Sequence, residues 1–409
     1  MSAPRRPANP FRVLLTHVNF RRFWFGQTLS LVGTWMQSMA VGWLALELSD
    51  SPFLVGVVVA CSALPILLFS LIAGVLVDRT DKLRLVRLAQ VLLLVEALLL
   101  WWFTWRGSLG IPALIGLVLF GGLVVSVEIP ARQSLMIDLV GRDDLRDAIA
   151  LNSSGFNLAR IIGPPIGAAI IARWGIAWCF FVNAASYLTV LLGLWLIELP
   201  PRVVEAPATS PWEGVREGVR YVHGDLRLRG LVETIAVFAV LCTPTLALMP
   251  VLARDQLRLG PGGYGLLLSA VGIGGMCGAL ALAASSPRLR RGRLLMRSQY
   301  ALAVLIFLVA LSPWPALTYI LLLGTGFVLI VNSALGNSVM QAIAPDEFRG
   351  RLMSVYSLIV VGLPQVLGAF AAGSVARWLG IGWTLAWSAL LMVVYGRWAF
   401  GRYPQLRDL

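Results

Sequence analysis

One arginine sits in the middle of an apolar stretch. Arg160 lies in the run 150–172, with Ser153 and Asn157 seven and three residues before it, so the three share one face of a helix. A charge inside a membrane span is costly and is a functional candidate by default. A guanidinium keeps its proton, so Arg160 is no proton carrier; it either binds an anionic substrate or pairs with a carboxylate. Few carboxylates lie inside apolar runs. Glu128 and Arg132 stand four apart around Pro130, at the end of the run 110–131. They pair with each other, or Arg132 reaches Asp78. A carboxylate so placed can take up a proton. Glu128 is the first candidate for proton coupling and Glu96, in the run 84–105, the second; the alternative for Glu96 is support of packing. Glu47 stands at the outer end of the first run, whose core carries no acid.

Uncharged polar residues also fall on helical faces. Gln27, Ser30, Thr34 and Gln37 or Ser38 recur at three- to four-residue spacing in the first run, and Asn332, Ser333, Asn337 and Gln341 do so in the tenth. Such faces either line a cavity for a polar ligand or bond neighbouring helices. Other chemistries lack their residues. His17 and His223 lie outside the apolar runs. Cys61, Cys179, Cys242 and Cys277 each lie singly inside one, with no CxxC pair and no metal-ligand spacing. They read as small buried hydrophobes. There is no GxxxxGK[ST] loop for a nucleotide. Neither an enzyme nor a cofactor is expected.

The elements that position these residues follow from composition. Of 409 residues, 58% are hydrophobic and 13% charged, far below the roughly one quarter charged of soluble domains. The chain therefore belongs in a lipid bilayer. Apolar runs fall near 22–47, 53–77, 84–105, 110–131, 150–172, 177–198, 230–252, 263–285, 294–312, 316–340, 352–375 and 381–400. The expected fold is all-α, with twelve transmembrane helices in two six-helix bundles. The first run begins near Phe23, after a basic, proline-rich N-terminus, and reads as a span that stays in place rather than a cleaved signal. The net charge of +13 does not indicate nucleic acid, because the basic residues sit in short loops. Of the 33 Lys and Arg residues, all but six fall in the termini, the even-numbered loops or the central linker. The exceptions are Arg106, Arg173, Arg254, Arg258 and Arg377 in odd-numbered loops, and Arg160. The positive-inside rule then places both termini in the cytoplasm, which requires an even number of spans. Tryptophans near span ends (Trp101, Trp102, Trp105, Trp174, Trp178, Trp314, Trp383) form interfacial belts.

The domain organisation expected is an N-terminal bundle over 1–199, a cytoplasmic linker over 200–229 and a C-terminal bundle over 230–409. In the linker, Trp212, Val215, Val219 and Val222 define a short amphipathic helix on the membrane surface, with Arg216 and Arg220 toward headgroups. The bundles repeat. Asp143-Asp144-Leu145-Arg146 is echoed by Asp346-Glu347-Phe348-Arg349, and Ala172-Arg173-Trp174 by Ala376-Arg377-Trp378, at offsets of 203 and 204. Parallel repeats of this kind place a substrate cavity between the halves.

The loop after the second run makes the pattern specific. Gly74, Asp78, Arg79, Lys82 and Arg84 match G-x-x-x-D-[RK]-x-G-x-[RK]-[RK], with Asp81 at the second glycine and Leu83 at one basic position. This resembles the signature loop of the major facilitator superfamily. Gly163-Pro164-Pro165-Ile166-Gly167-Ala168 is similar to the GPxxGG element of its exporters. Asn19–Gln27, Ser30–Gln37, Glu128–Gln133 and Arg349–Ser354 resemble the branch of proton-coupled exporters that includes enterobactin and macrolide efflux. The resemblance implies a cytoplasmic gate of Gly74, Asp78, Arg79, Lys82 and Arg84, with Arg132 near it. It implies a bend and close packing at Gly163, Pro164 and Gly167. It implies a monomer in a bacterial inner membrane that exports a drug, macrolide or siderophore-like metabolite by proton antiport and alternating access. Its partners would be a small-molecule substrate, protons and the lipid bilayer. The alternatives are a symporter or facilitator, and a non-transporting membrane scaffold.

Overall fold

In a bilayer no water satisfies backbone amides, so an apolar chain must bond them within helices. The computed structural model describes residues 11–199, 211–284, 291–345 and 348–407, and every regular element among them is helical. The long helices are α1 (Val18–Ser49), α2 (Pro52–Asp78), α3 (Lys82–Trp105), α4 (Ile111–Val140), α5 (Leu145–Trp174) and α6 (Ala177–Trp195), followed by α7 (Pro211–Gly224). Then come α8 (Leu226–Ala247), α9 (Pro261–Ala283), α10 (Arg291–Leu311), α11 (Pro315–Ile343), α12 (Arg349–Tyr356) and α13 (Leu363–Arg402). A π-helical turn, Ser357–Gly362, joins α12 to α13.

Local sequence explains the boundaries. Proline at the first turn starts α2, α4, α9, α11 and α13, where its missing N–H costs nothing. The Asp81 side chain accepts from the Leu83 and Arg84 amides and caps α3, and Asp225 caps α8 in the same way. Gly141 and Gly175, at φ 74° and 90°, end α4 and α5.

Among the described residues ten helices are long and apolar enough to cross a membrane, against the twelve expected. The last of the ten, Ser357–Arg402, is two helices run together across Gly380, whose φ of 76° breaks the geometry. Lys82–Trp105 is a further helix of 24 residues outside the ten. Exposed Trp105, Trp174, Trp314, Trp378 and Trp383 ring the end opposite the chain termini, as an interfacial belt requires.

Helices α1–α6 meet α8–α13 along two main seams, α2 against α13 and α5 against α9. Contact concentrates at the end away from the termini. There one apolar cluster joins Met39, Trp43 and Leu46 of α1 to Met249, Leu252 and Tyr264. Trp43 and Tyr264 stack at 5.8 Å, and Arg254 bonds Asp50 at 2.7 Å. At the terminus-bearing end the cores separate. One is built around Phe20, Leu83, Leu135 and Tyr187, the other around Leu231, Leu335, Leu352 and Phe400. The molecule is thus sealed at one end and parted at the other. Helix α7 lies against α12, where Tyr221 stacks on Phe348 at 4.6 Å; Val222 is buried and Arg216 and Arg220 are exposed, as the amphipathic pattern expects. The side chains of Trp212 and Val215, residues 200–210, and Asp346 and Glu347 of the repeat lie outside the described residues.

Candidate functional site

Two carboxylates among the described residues of α1–α6 are buried, and their surroundings differ. Glu128 Oε1 accepts from Arg132 Nε at 2.8 Å, one helical turn on, and from Gln90 Nε2 of α3 at 3.3 Å. Pro130 does not break α4, so the i, i+4 register holds and the pair forms within one helix. The two form an ion pair within one helix; the Asp78 side chain, the other partner considered for Arg132, lies outside the described residues. Glu96, 3% exposed, accepts from the neutral amide of Gln37 at 2.9 Å. Gln37 Oε1 in turn accepts from Asn183 Nδ2 at 2.8 Å. The chain Glu96–Gln37–Asn183 links α3, α1 and α6. Gly121 makes room for it: a Cβ there would stand 3.2 Å from Glu96 Oε1. No cation bonds Glu96 among the described residues.

Helix α5 carries Arg160 at the seam with α9. Gly163 and Gly167 bring α5 onto α1; a Cβ at Gly163 would meet Trp35 Cβ at 2.8 Å, and one at Gly167 Met36 Cγ at 2.7 Å. Leu145–Trp174 is one continuous helix through both prolines. Pro165 has no N–H to give the Ile161 carbonyl four residues back. Ser269 Oγ of α9 reaches that carbonyl at 2.8 Å and so bonds across the seam. Just beyond, Arg160 Nη2 bonds Asn157 Oδ1 at 3.1 Å, while its Nε is buried without a partner. The guanidinium lies over Gly275 of α9 and beside Ile330 of α11, each about where a Cβ on Gly275 would collide, at 2.9 Å.

Ile330 also lines an open cleft of about 420 Å³ with Ser333, Ala334, Asn337, Ser338 and Gln341. The polar face of α11 was expected either to line a cavity or to bond neighbouring helices; Ser333, Asn337 and Gln341 line this cleft, and Asn332 is buried. On α1 the stripe divides. Gln27 and Ser30 are buried, Thr34 is exposed, and Gln37 is half-buried in the Glu96 chain.

The gate loop sits at the parted end. A Cβ on Gly74 would meet nothing within 4 Å, so no neighbouring helix approaches closely at this glycine in this arrangement. Arg79 is exposed. Lys82 pairs with Asp138 of α4 at 3.1 Å, and Arg84 with Asp81 at 3.3 Å. Asp81, which replaces the family's glycine, serves as the cap of α3. At the sealed end, hydrogen bonds to Asp255 first and Asp50 next hold the Arg254 guanidinium above its ordinary range, against some desolvation. Gln90, Asn183, Ser269 and the Asp50–Arg254 pair were not singled out from sequence. For Gln90 and Asn183 the signal was present, as amides inside apolar runs.

Residues 8–403 match the family described as transmembrane secretion effector. The multidrug efflux pump Tap of Mycolicibacterium fortuitum is 30% identical over 92% of this chain and 93% of its own length. The enterobactin exporter EntS of Shigella flexneri is 27% identical over 84% and 82%. Among solved structures, a mutant of the nucleoside transporter NupG superposes with a TM-score of 0.77 over 97% of this chain and all of its own, at 12% identity. A bacterial homologue of the iron transporter ferroportin, in an inward-facing state, reaches 0.73 over 93% and 98%, at 16% identity. The chain is a multi-pass membrane protein that belongs to the transmembrane secretion effector family of the major facilitator superfamily, a transporter and not an enzyme.

Proposed function

We propose that this protein exports a small organic molecule by proton antiport and alternating access, as a monomer in a bacterial inner membrane with both termini cytoplasmic. The export direction follows the named activities of its relatives, a multidrug efflux pump and an enterobactin exporter. Two bundles, 1–199 and 230–409, joined by 200–229, rock about a central cavity between α5 and α11. With the termini inside, the parted end faces the cytoplasm and the gate loop around Asp78 and Arg79 stands open. Helix bending at Gly163, Pro164 and Gly167 belongs to the same motion.

The observation that carries the coupling is the buried Glu96–Gln37–Asn183 chain. Glu128 has Arg132 to balance its charge; Glu96 has an amide. A proton arriving on Glu96 therefore removes a charge that no cation answers, and it gives the carboxyl one O–H donor beside its remaining acceptor. With the proton on Oε2 the acid donates to Gln37 only when that amide reverses, which changes the contacts of α1, the helix packed on α5. Glu96 thus takes precedence over Glu128 as the proton site.

The test uses proteoliposomes with an imposed pH gradient, and erythromycin and enterobactin as trial cargo, one from each class. Wild-type uptake into inside-acid vesicles exceeds uptake without a gradient, and Glu96→Gln removes the difference while keeping exchange down a substrate gradient. Transport indifferent to the gradient in both proteins makes this a facilitator and sinks antiport.

A further inference from the structure

Four glutamates of the long helices each have a donor among the described residues. Glu47 is bonded by Trp43, Glu96 by Gln37, Glu128 by Arg132 and Glu233 by Arg229 and Tyr403. Arg160 is the reverse case. It makes no salt bridge to any described residue, its one bond is to a neutral amide, and its Nε is buried and unmet. A guanidinium inside a span without a counter-charge is costly, and the protein keeps it at the α5–α9 seam against Ile330, whose side chain lines the open cleft. Gly275 has no side chain to fill the space over it. Besides Ile330 and Ala334 the cleft is lined by Ser333, Asn337, Ser338 and Gln341, polar and uncharged, so no lining residue repels an anion.

We infer that the missing counter-charge is carried by the cargo: the transported molecule is an organic acid whose anionic group docks on the Arg160 guanidinium, with Asn157 fixing the fork and the α11 amides and hydroxyls holding its polar remainder. This rests on the cleft being the substrate cavity. An arginine presents parallel N–H groups that suit a carboxylate or a comparably delocalised acid, whereas a point cation does so less well.

The experiment uses the purified full chain in dodecyl maltoside, with dansylglycine as the acid and dansylglycinamide as its neutral match. Binding is read by energy transfer from the protein's tryptophans. Wild type binds the acid at least tenfold more tightly than the amide. Arg160→Gln brings the two within twofold while leaving the amide unchanged, and Arg160→Lys restores part of the preference. Equal binding of both probes by wild type, or an undiminished preference in Arg160→Gln, overturns the proposal. Preference that vanishes on adding phosphatidylglycerol to the micelles assigns the cation to a lipid headgroup and overturns it as well. Ser333→Phe, which fills the cleft, weakens both probes. If that variant leaves both unchanged, or if wild type binds neither, the cavity assignment itself fails.

Discussion

A single methyl group at Gly373 should drive the protein out of the conformation described above. Gly373 of α13 lies on the seam with α2, where a Cβ would stand 2.8 Å from the Pro52 carbonyl oxygen, 3.0 Å from that of Phe53 and 3.1 Å from Phe53 Cα. All three are backbone atoms, with no rotamer by which to escape. The overlap is relieved only if α13 and α2 part, and parting them opens the sealed end. Overpacking of this kind costs about 1–3 kcal/mol. Since about 1.4 kcal/mol is a factor of ten, Gly373→Ala should lower the weight of the sealed state by roughly 5- to 150-fold. Thiol labelling in a cysteine-free background measures this. Asn337→Cys, in the cleft, should react more slowly with an impermeant maleimide from the terminus-bearing side. Ala270→Cys, buried in the cluster at the sealed end, should react faster from the other side. Gly116→Ala is the control, because its Cβ would meet nothing within 4 Å. If Gly373→Ala matches Gly116→Ala at both reporters, the seam does not open during the cycle and the reasoning fails.

Three further outcomes are expected. Gly74→Leu should leave thermal unfolding of the purified protein unchanged, since its side chain meets open space here, yet slow transport at least tenfold by blocking closure of the parted end; a large stability loss with transport intact refutes this. Asp81→Ala should cost about 0.5–2 kcal/mol by leaving the first amides of α3 uncapped, read from equilibrium unfolding in mixed micelles, and Asp81→Asn should recover most of it. Arg132→Met should cost about 3–5 kcal/mol by stranding the Glu128 carboxylate, and the double variant with Glu128→Gln should regain most of that; equal losses in single and double variants would show that the pair is not coupled.

How much of this was legible depends on the range of the interaction concerned. Helices, their proline starts and the amphipathic α7 are local matters, and hydropathy and spacing convey them. The Glu128–Arg132 pair was legible for the same reason, since both partners sit one turn apart. The Gln27–Gln37 stripe was read as one face with one fate, but a helix wedged among several neighbours turns different parts of a face to different surroundings. Gln27 is buried, Thr34 exposed and Gln37 bonded to two other helices. Asp50–Arg254 and Ser269–Ile161 join residues more than one hundred positions apart, and no local period signals them. The choice of Glu96 over Glu128 likewise needed to know which carboxylate had a cation beside it.

The repeat sharpens that choice. At the offset of 203, Glu96 of α3 falls on Gln299 of α10. Gln299 is wholly buried too, and its amide makes no hydrogen bond among the described residues. One bundle thus holds an ionisable group where the other holds its neutral isostere, so only one bundle can register a proton at this position. That bundle also contains α5, which bears Arg160 and receives Ser269 across the seam. Opening the sealed end must break the Ser269–Ile161 bond and draw Gly275 away from the guanidinium, since both lie on α9. The anion site, the seal and the proton chain therefore converge on α5 and α1. Ligand at Arg160 and charge on Glu96 are able to bias the same movement, which is the linkage that antiport requires.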